Sequence, residues 1–504
     1  MKVTSTNPAT GDVRDIGVDE TSTNEVVAAT QVAALAFRDY ARRPLAWRAE
    51  MLRAMADELE ADGEQLVALA IEETALGRLR LEGELRRTAF QLRFFANVVT
   101  DGDFLNVTID HATDSPMGPL PDLRRMRVPQ GPVAVFGSSN FPFAFSVPGG
   151  DTASALAAGC SVVIKAHPAH PATGSAAFHA LLRAARRCDA PEGTLSLVFG
   201  LDAGTALVSA PAISAVGFTG SVLAGRILWD LANSRTVPIP FYGELGSANP
   251  LIVTDRAAKE RAQEIGTGIA GSMTLGAGQF CTKPGLLFVP SGSDGNHVVS
   301  AIAEGLEQTG EFTMLSSGIA EHFRAGARAT DGVPGTRALV KKDRGEAAAT
   351  SAQLYEVDAA RFAEPDARAL REECFGPLAV VVRYGSFGEL RDAILASEPA
   401  LTFSVFATLN DPNSAELLEL GSHRAGRVIM NEFPTGVGVS WSMQHGGPWP
   451  STTSAATTSV GAGAIDRWLR PVTFQSVSDE LLAPALQESN PLGIPRRVDA
   501  NLES

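Results

Sequence analysis

Between Thr23 and about Val99 the apolar residues recur mostly at helical spacing. Val27, Ala28, Ala34, Leu35 and Phe37 lead the pattern, and Met51, Leu52, Met55 and Leu59 continue it. Asn-Glu and Asp-Gly-Glu segments supply caps and breaks. The stretch Leu79-Arg-Leu-Glu-Gly-Glu-Leu-Arg-Arg87 mixes charges as a solvated helix face does. This region therefore predicts a helical layer with no chemistry of its own. Residues 1–20 are polar and turn-rich and predict short strands or an arm. Residues 101–130 are rich in Asp, Gly, Pro and Thr, and Asp122-Leu-Arg-Arg-Met-Arg-Val-Pro129 alternates loosely, as in a hairpin or interface strand. Arg124, Arg125 and Arg127 on it are expected to be solvated.

The pattern then changes to short apolar runs that end in turns. Gly131-Pro-Val-Ala-Val-Phe-Gly137 predicts a buried parallel strand. Helical Thr152–Gly159 and a second strand, Ser161-Val-Val-Ile-Lys165, complete a βαβ unit. Helix Thr173–Arg187, strand Leu195–Phe199 and the strand-and-turn Ala215–Ser221 extend it. This is a doubly wound domain, with ligands expected at the strand C-termini. A second α/β block begins after Gly243. It has strands at Leu251–Thr254, Leu286–Val289, Leu378–Arg383, Phe403–Ala407 and Gly426–Met430, and a helix from Arg256 to about Leu275. Residues 432–463, rich in Gly, Ser, Thr and Pro, suit loops over a site. Residues 485–504 are polar and predict a loosely held tail. No internal repeat is visible.

Composition narrows the function. The 504 residues carry 42 Lys and Arg against 57 Asp and Glu, a net charge of −15. Nucleic acid and anionic membrane are poor partners for such a surface. Four cysteines, Cys160, Cys188, Cys281 and Cys374, form no CxxC pair. That argues against a disulfide framework or a zinc site and fits a reducing compartment. No apolar run is long enough to span a bilayer and the N-terminus has no signal core, so a cytoplasmic protein is expected.

One stretch carries candidate chemistry: Leu275-Gly-Ala-Gly-Gln-Phe-Cys-Thr-Lys-Pro284. A thiol attacks as thiolate, so a working Cys281 needs a setting that lowers its pKa. Gly276 and Gly278 allow backbone N–H groups to approach its target. On its own the stretch fits an inert buried cysteine at least as well. Asn140 alone fits a turn residue, Glu244 a surface carboxylate, Lys165 a strand-end lysine, and Phe218 and Phe375 core.

Together these residues resemble the aldehyde dehydrogenase superfamily over roughly residues 20–475. The matching elements stand in order: Asn140-Phe-Pro142, Lys165, Phe218-Thr-Gly-Ser221, Glu244-Leu-Gly246, Gly278-Gln-Phe-Cys281 and Glu373-Cys-Phe-Gly-Pro377. The resemblance implies an α/β fold with a Rossmann-type cofactor domain (1–112 and 131–243) and a second, catalytic α/β domain (244–445). It also implies oligomerisation strands at 113–130 and 458–478. Cys281 would attack an aldehyde, and Asn140 with the Cys281 N–H would hold the oxyanion. Glu244, with a raised pKa in a partly dry site, would activate water against the thioester. No histidine is required as base. Lys165 and Glu373 would hold the ribose rings of NADP or NAD, and Ser221 and Gly220 would meet the pyrophosphate at a helix start. Phe375, Ser138 and Leu245 complete the expected cofactor contacts. No metal is implied.

Departures refine this picture. The common Lys-Pro-x-Glu reads Lys165-Ala-His-Pro168, and losing that glutamate permits a 2′-phosphate, which favours NADP. His167 and His170 nearby fit neutral surface residues better than phosphate ligands. The segments Ser138–Ser146, Gln444–Thr453 and Arg467–Gln475 resemble the branch of 2,5-dioxopentanoate (α-ketoglutarate semialdehyde) dehydrogenases and a related fatty-aldehyde enzyme. The implied substrate is a small acidic aldehyde, with Thr435, Ser440 and Gln444 as candidates at its carboxylate end. The alternatives are a long-chain aldehyde enzyme, with Phe141, Phe143, Phe145 and Trp441 lining a greasy channel, and a catalytically silent member. A homodimer or tetramer is expected.

Overall fold

The computed structural model describes residues 1–342, 345 and 347–503. Helices Thr23–Tyr40, Leu45–Ala61, Gly63–Thr74 and Arg78–Asp101 form the predicted helical layer. Ser22 and Glu25 cap the first reciprocally, each side chain taking the other's backbone N–H. In the fourth, Leu81, Leu85, Leu92, Phe95 and Val99 lie on the core. Its charged face departs from expectation. Glu84 is 5% exposed, and Arg80 and Arg87 are only half-exposed, each with one guanidinium nitrogen fully buried. The cause is that Glu84 Oε1 accepts the backbone N–H groups of Phe143 (2.8 Å) and Ala144 (3.0 Å), which pins the helix against the Asn140 turn.

Behind this layer, five parallel strands follow the spatial order Phe241–Glu244, Ala215–Thr219, Val133–Phe136, Val162–Lys165, Leu195–Val198. Successive residues face opposite sides. Val133, Val135, Val162 and Ile164 join one apolar cluster, while Ala134, Phe136, Val163 and Phe218 join another. The strand order reverses between Val133–Phe136 and Ala215–Thr219, and a doubly wound sheet opens a crevice at such a point. The second sheet has seven strands, ordered Arg337–Lys341, Gln353–Asp358, Leu378–Tyr384, Leu286–Pro290, Pro250–Val253, Ala400–Phe406, Ala425–Met430. All its pairings are parallel except that of the first two. The strand Gln353–Asp358 and the helices Ser293–Glu307 and Ser317–Asp331 add to what the sequence predicts.

A third sheet contains the two expected extension strands, Leu123–Pro129 and Leu469–Gln475, paired antiparallel. It also draws in Val107–Asp110, Arg496–Val498 and Asn501–Glu503. The predicted loose tail at 485–504 is therefore corrected. Leu486 and Ile494 are buried, and Arg496 donates to the Gln487 and Glu488 carbonyls. His111 closes the joint, with Nδ1 2.7 Å from Asp499 and Nε2 3.1 Å from Glu488. Arg124, expected in solvent, is buried between Asp122 and Asp479. Among the described residues no helix is long and apolar enough to cross a membrane.

Candidate active site

Cys281 follows a turn in which Gly276, Ala277 and Gly278 all have positive φ. Gly278 is needed there for space as well: a Cβ would lie 2.4 Å from the backbone carbon of Gly376. The turn therefore packs directly on the Glu373–Pro377 loop. Asn249 Nδ2 donates to the Cys281 carbonyl at 2.6 Å and to the Lys283 carbonyl at 3.0 Å. Gln279, fully buried, accepts from the Leu315 N–H at 3.0 Å. The nucleophile candidate thus sits on a backbone tied down on both sides.

Glu244 ends the strand Phe241–Glu244 and is 4% exposed. The loop after residue 431 folds over it. The Ser459 hydroxyl donates to its carboxylate, and His445 Nε2 lies 3.0 Å from Oε1. The same Nε2 is 3.6 Å from Cys281 Sγ. Ligand-capable atoms of Cys281, Glu244 and His445 all lie within 4.8 Å of one another. His445 is fully buried, and its Nδ1 has no partner among the described residues. The loop holds the ring in place: the His445 N–H donates to Thr458 Oγ1 at 2.8 Å, and the Ser459 N–H donates to the His445 carbonyl at 2.9 Å.

Two electrostatic expectations are corrected. Burial pushes the Cys281 thiol well above its ordinary value, and the Glu244 and Glu373 charges push it further, against the opposing Arg427 charge. The setting therefore favours a protonated resting thiol. Burial also raises Glu244, but the His445 charge and the hydrogen bonds from His445, Ser459 and Cys281 outweigh it. The carboxylate ends below its ordinary value instead of above it. The proton at rest belongs to sulfur, and Glu244 is anionic.

Asn140 is buried on the turn after Val133–Phe136. Its Nδ2 donates to the Gln279 carbonyl at 2.9 Å, leaving its second N–H free. Arg80, stacked over the rings of Phe141 and Phe280, donates to the Asn140 carbonyl at 2.6 Å.

A cavity of about 1240 Å³ runs from Cys281 across the C-terminal ends of the first sheet. Its lining includes Ser138, Asn140, Lys165, Gly220, Ser221, Glu244, Leu245, Glu373 and Phe375, so every predicted catalytic and cofactor residue borders one space. Burial brings Lys165 down to about 8, although the Glu20 charge opposes it. Burial raises Glu373 to about 7, partly offset by Lys283. Ser221 caps the helix Val222–Ser234, accepting from the Ala224 N–H, and so aims a helix N-terminus at the cavity. Ser138 Oγ is buried without a partner among the described residues, and a Cβ on Gly246 would lie 2.2 Å from Glu373 Oε2. These features fit a dinucleotide: ribose-reaching polar ends, a phosphate-facing helix start and space that a side chain would close.

Three predicted substrate residues stand outside the lining of this cavity. Thr435 Oγ1 lies 2.5 Å from Ser272 Oγ, and Gln444 Nε2 donates to the Thr457 carbonyl at 2.8 Å. Neither they nor Ser440 line the cavity. The aromatic channel is also altered. Phe143 is fully buried in the core, and the Arg87 guanidinium covers the Phe145 ring at 5.1 Å. His445 escaped the sequence reading. Its only signal was adjacency to Gln444 in a loop already placed over the site.

Comparison with known proteins agrees with this geometry. The aldehyde dehydrogenase family model matches residues 1–327. The chain is 46% identical over 489 residues to alpha-ketoglutaric semialdehyde dehydrogenase 2 of Azospirillum brasilense, covering 95% of this chain and 92% of that protein. It is 39% identical over 483 residues to alpha-ketoglutaric semialdehyde dehydrogenase of Acinetobacter baylyi, covering 95% and 91%. Among solved structures, NADP-dependent glyceraldehyde-3-phosphate dehydrogenase of Bacillus halodurans, complexed with NADP, superposes with a TM-score of 0.80 at 23% identity, covering 95% of this chain and 96% of that one. The chain belongs to the aldehyde dehydrogenase family.

Proposed function

We propose that the protein oxidises 2,5-dioxopentanoate to 2-oxoglutarate, with NADP preferred over NAD. The observation that carries the chemistry is the cluster of Cys281, Glu244 and His445 within 4.8 Å at the end of the cavity. The two relatives named for alpha-ketoglutaric semialdehyde support the substrate. The charge over Phe145 favours an acidic chain over the greasy alternative.

Cys281 Sγ, protonated at rest, gives its proton to the adjacent anionic Glu244 as it attacks the aldehyde carbon. The developing oxyanion meets the free Asn140 N–H and the Cys281 backbone N–H. Such donors stabilise a transition state by about 3–4 kcal/mol each. Lys165 and Glu373 would hold the ribose rings, and Ser221 and Gly220 the pyrophosphate, of a bound NADP. Bound there, NADP would supply the hydride acceptor, so that loss of hydride from the thiohemiacetal carbon leaves an acyl thioester on Cys281. Glu244 passes that proton to solvent and then, anionic again, takes a proton from water as the water attacks the thioester, returning it to the departing Cys281 sulfur. Free acid and the Cys281 thiol result. His445 and Ser459 keep the carboxylate oriented and ionised through this step. Pro168 in place of an acidic residue leaves room at the adenosine ribose for a 2′-phosphate. A homo-oligomer built on the third sheet is part of the same proposal.

A substrate panel with both cofactors tests this reading. We expect kcat/KM to be higher for 2,5-dioxopentanoate than for decanal, and higher with NADP than with NAD. A clear preference for decanal overturns the substrate, and a tenfold preference for NAD overturns the cofactor.

A further inference from the structure

Near the nucleophile stand two guanidiniums that the mechanism leaves unused. Arg87, on the helix Arg78–Asp101, lies over Phe145, whose ring is 6.4 Å from that of His445. Its Nη2 donates to the Val437 carbonyl at 3.4 Å, while Nη1 is buried with no partner. Arg427, on the strand Ala425–Met430, donates to the carbonyls of Pro434 (2.6 Å) and Gly436 (2.9 Å), and its Nε is buried and unpaired. The two cations therefore converge on one short loop, 434–437. The Gly436 N–H donates in turn to Thr282, the neighbour of Cys281, at 3.2 Å.

Among the described residues neither arginine reaches an acid within ion-pair distance. Glu84 and Glu432 act on them only from farther away. Both arginines are half-exposed, yet each keeps one guanidinium nitrogen buried and unpaired among the described residues, and such an atom calls for an explanation in a ligand or ion. Burial lowers the pKa of both. Arg48 is also buried without a carboxylate, but its charge acts on Tyr40 and Cys160. The charge of Arg87 acts on Cys281 and Glu244, and that of Arg427 on Cys281.

We propose that Arg87 and Arg427 form an anion clamp that takes the terminal carboxylate of a short aldehyde acid, setting the chain length at which its carbonyl meets Cys281. This rests on the acidic-substrate reading above and adds charged residues to Thr435, Ser440 and Gln444; none of the five lines the cavity. Guanidinium suits the task because it is permanently charged and offers paired donors to a carboxylate.

The test compares wild type with Arg87→Met and Arg427→Lys, using 2,5-dioxopentanoate and pentanal as substrates. It also measures the inhibition constant of glutarate against pentanal. We expect the ratio of kcat/KM for the acid to that for pentanal to fall about 30-fold or more in Arg87→Met, mostly through KM. Arg427→Lys should lower it less, and glutarate should inhibit both variants more weakly. An unchanged ratio with unchanged glutarate inhibition overturns the clamp. A proportional loss on both substrates, with the pH profile of kcat displaced, overturns it in favour of a role on the thiol. A wild type that prefers pentanal sinks the substrate reading instead. The glutarate constants then judge the clamp alone.

Discussion

The two sides of the nucleophile are built differently. The cofactor side is assembled mostly from strand termini of one sheet, with Glu373 and Phe375 reaching it from the loop before Leu378–Tyr384. Lys165 ends Val162–Lys165, the Gly220-Ser221 turn follows Ala215–Thr219, and Ser138 follows Val133–Phe136. The acyl side, as proposed above, is assembled from pieces that meet only in three dimensions and do not line the cavity: Arg87 from the first helical layer, Arg427 from the last strand of the second sheet, and His445 from the loop beyond it. Contacts on the first side are local in sequence, so a motif can record them. Contacts at the second span 350 residues in one case, Arg87 to Val437, and no motif does.

Three experiments bear on that contrast. The largest effect is expected where the two sides meet. Asn140→Ala should lower kcat by roughly 10²–10³, the usual loss of one oxyanion donor. KM should change far less. A loss spread evenly over KM would mean that Asn140 serves ground-state binding on the cofactor side. The second effect concerns the acyl side's electrostatics. Because the Cys281 pKa is raised in the folded protein, thiolate is scarce at neutral pH and grows as pH climbs toward that pKa. Alkylation by iodoacetamide should therefore be slow at pH 7 and accelerate with pH. Glu244→Gln removes a charge that raises the thiol, so its alkylation at pH 7 should quicken about tenfold, one unit of pKa. An unaltered rate would show that burial alone sets the thiol. The smallest effect lies on the cofactor side. Pro168→Glu restores a carboxylate beside the adenosine ribose, and the NADP to NAD ratio of kcat/KM should drop about fivefold, short of the tenfold that 1.4 kcal/mol gives. If both cofactors lose equally, position 168 does not read the 2′ position.

The fold was largely legible. Buried parallel strands announce themselves as apolar runs, and both sheets appear where those runs stand. Less visible was the meaning of charge. Arg80, Glu84 and Arg87 look like a solvated face because their spacing suits one, and only the docking of the Asn140 turn onto Glu84 takes them out of water. The pKa directions of Cys281 and Glu244 were similarly hidden, since each depends on His445, on Glu373 or on the depth of burial. The polar segment 485–504 read as loose because its partners, Val107–Asp110 and His111, lie far upstream.

That last joint has a consequence for how the chain is made. Val107–Asp110 and Leu123–Pro129 emerge early in synthesis, yet the strands that flank them belong to residues 469–503. Until those residues leave the ribosome, the early pair presents unpaired edges to other chains, the situation in which aggregation competes with folding. We expect the protein's yield in cells to depend on chaperone supply, independently of how well its active site is formed.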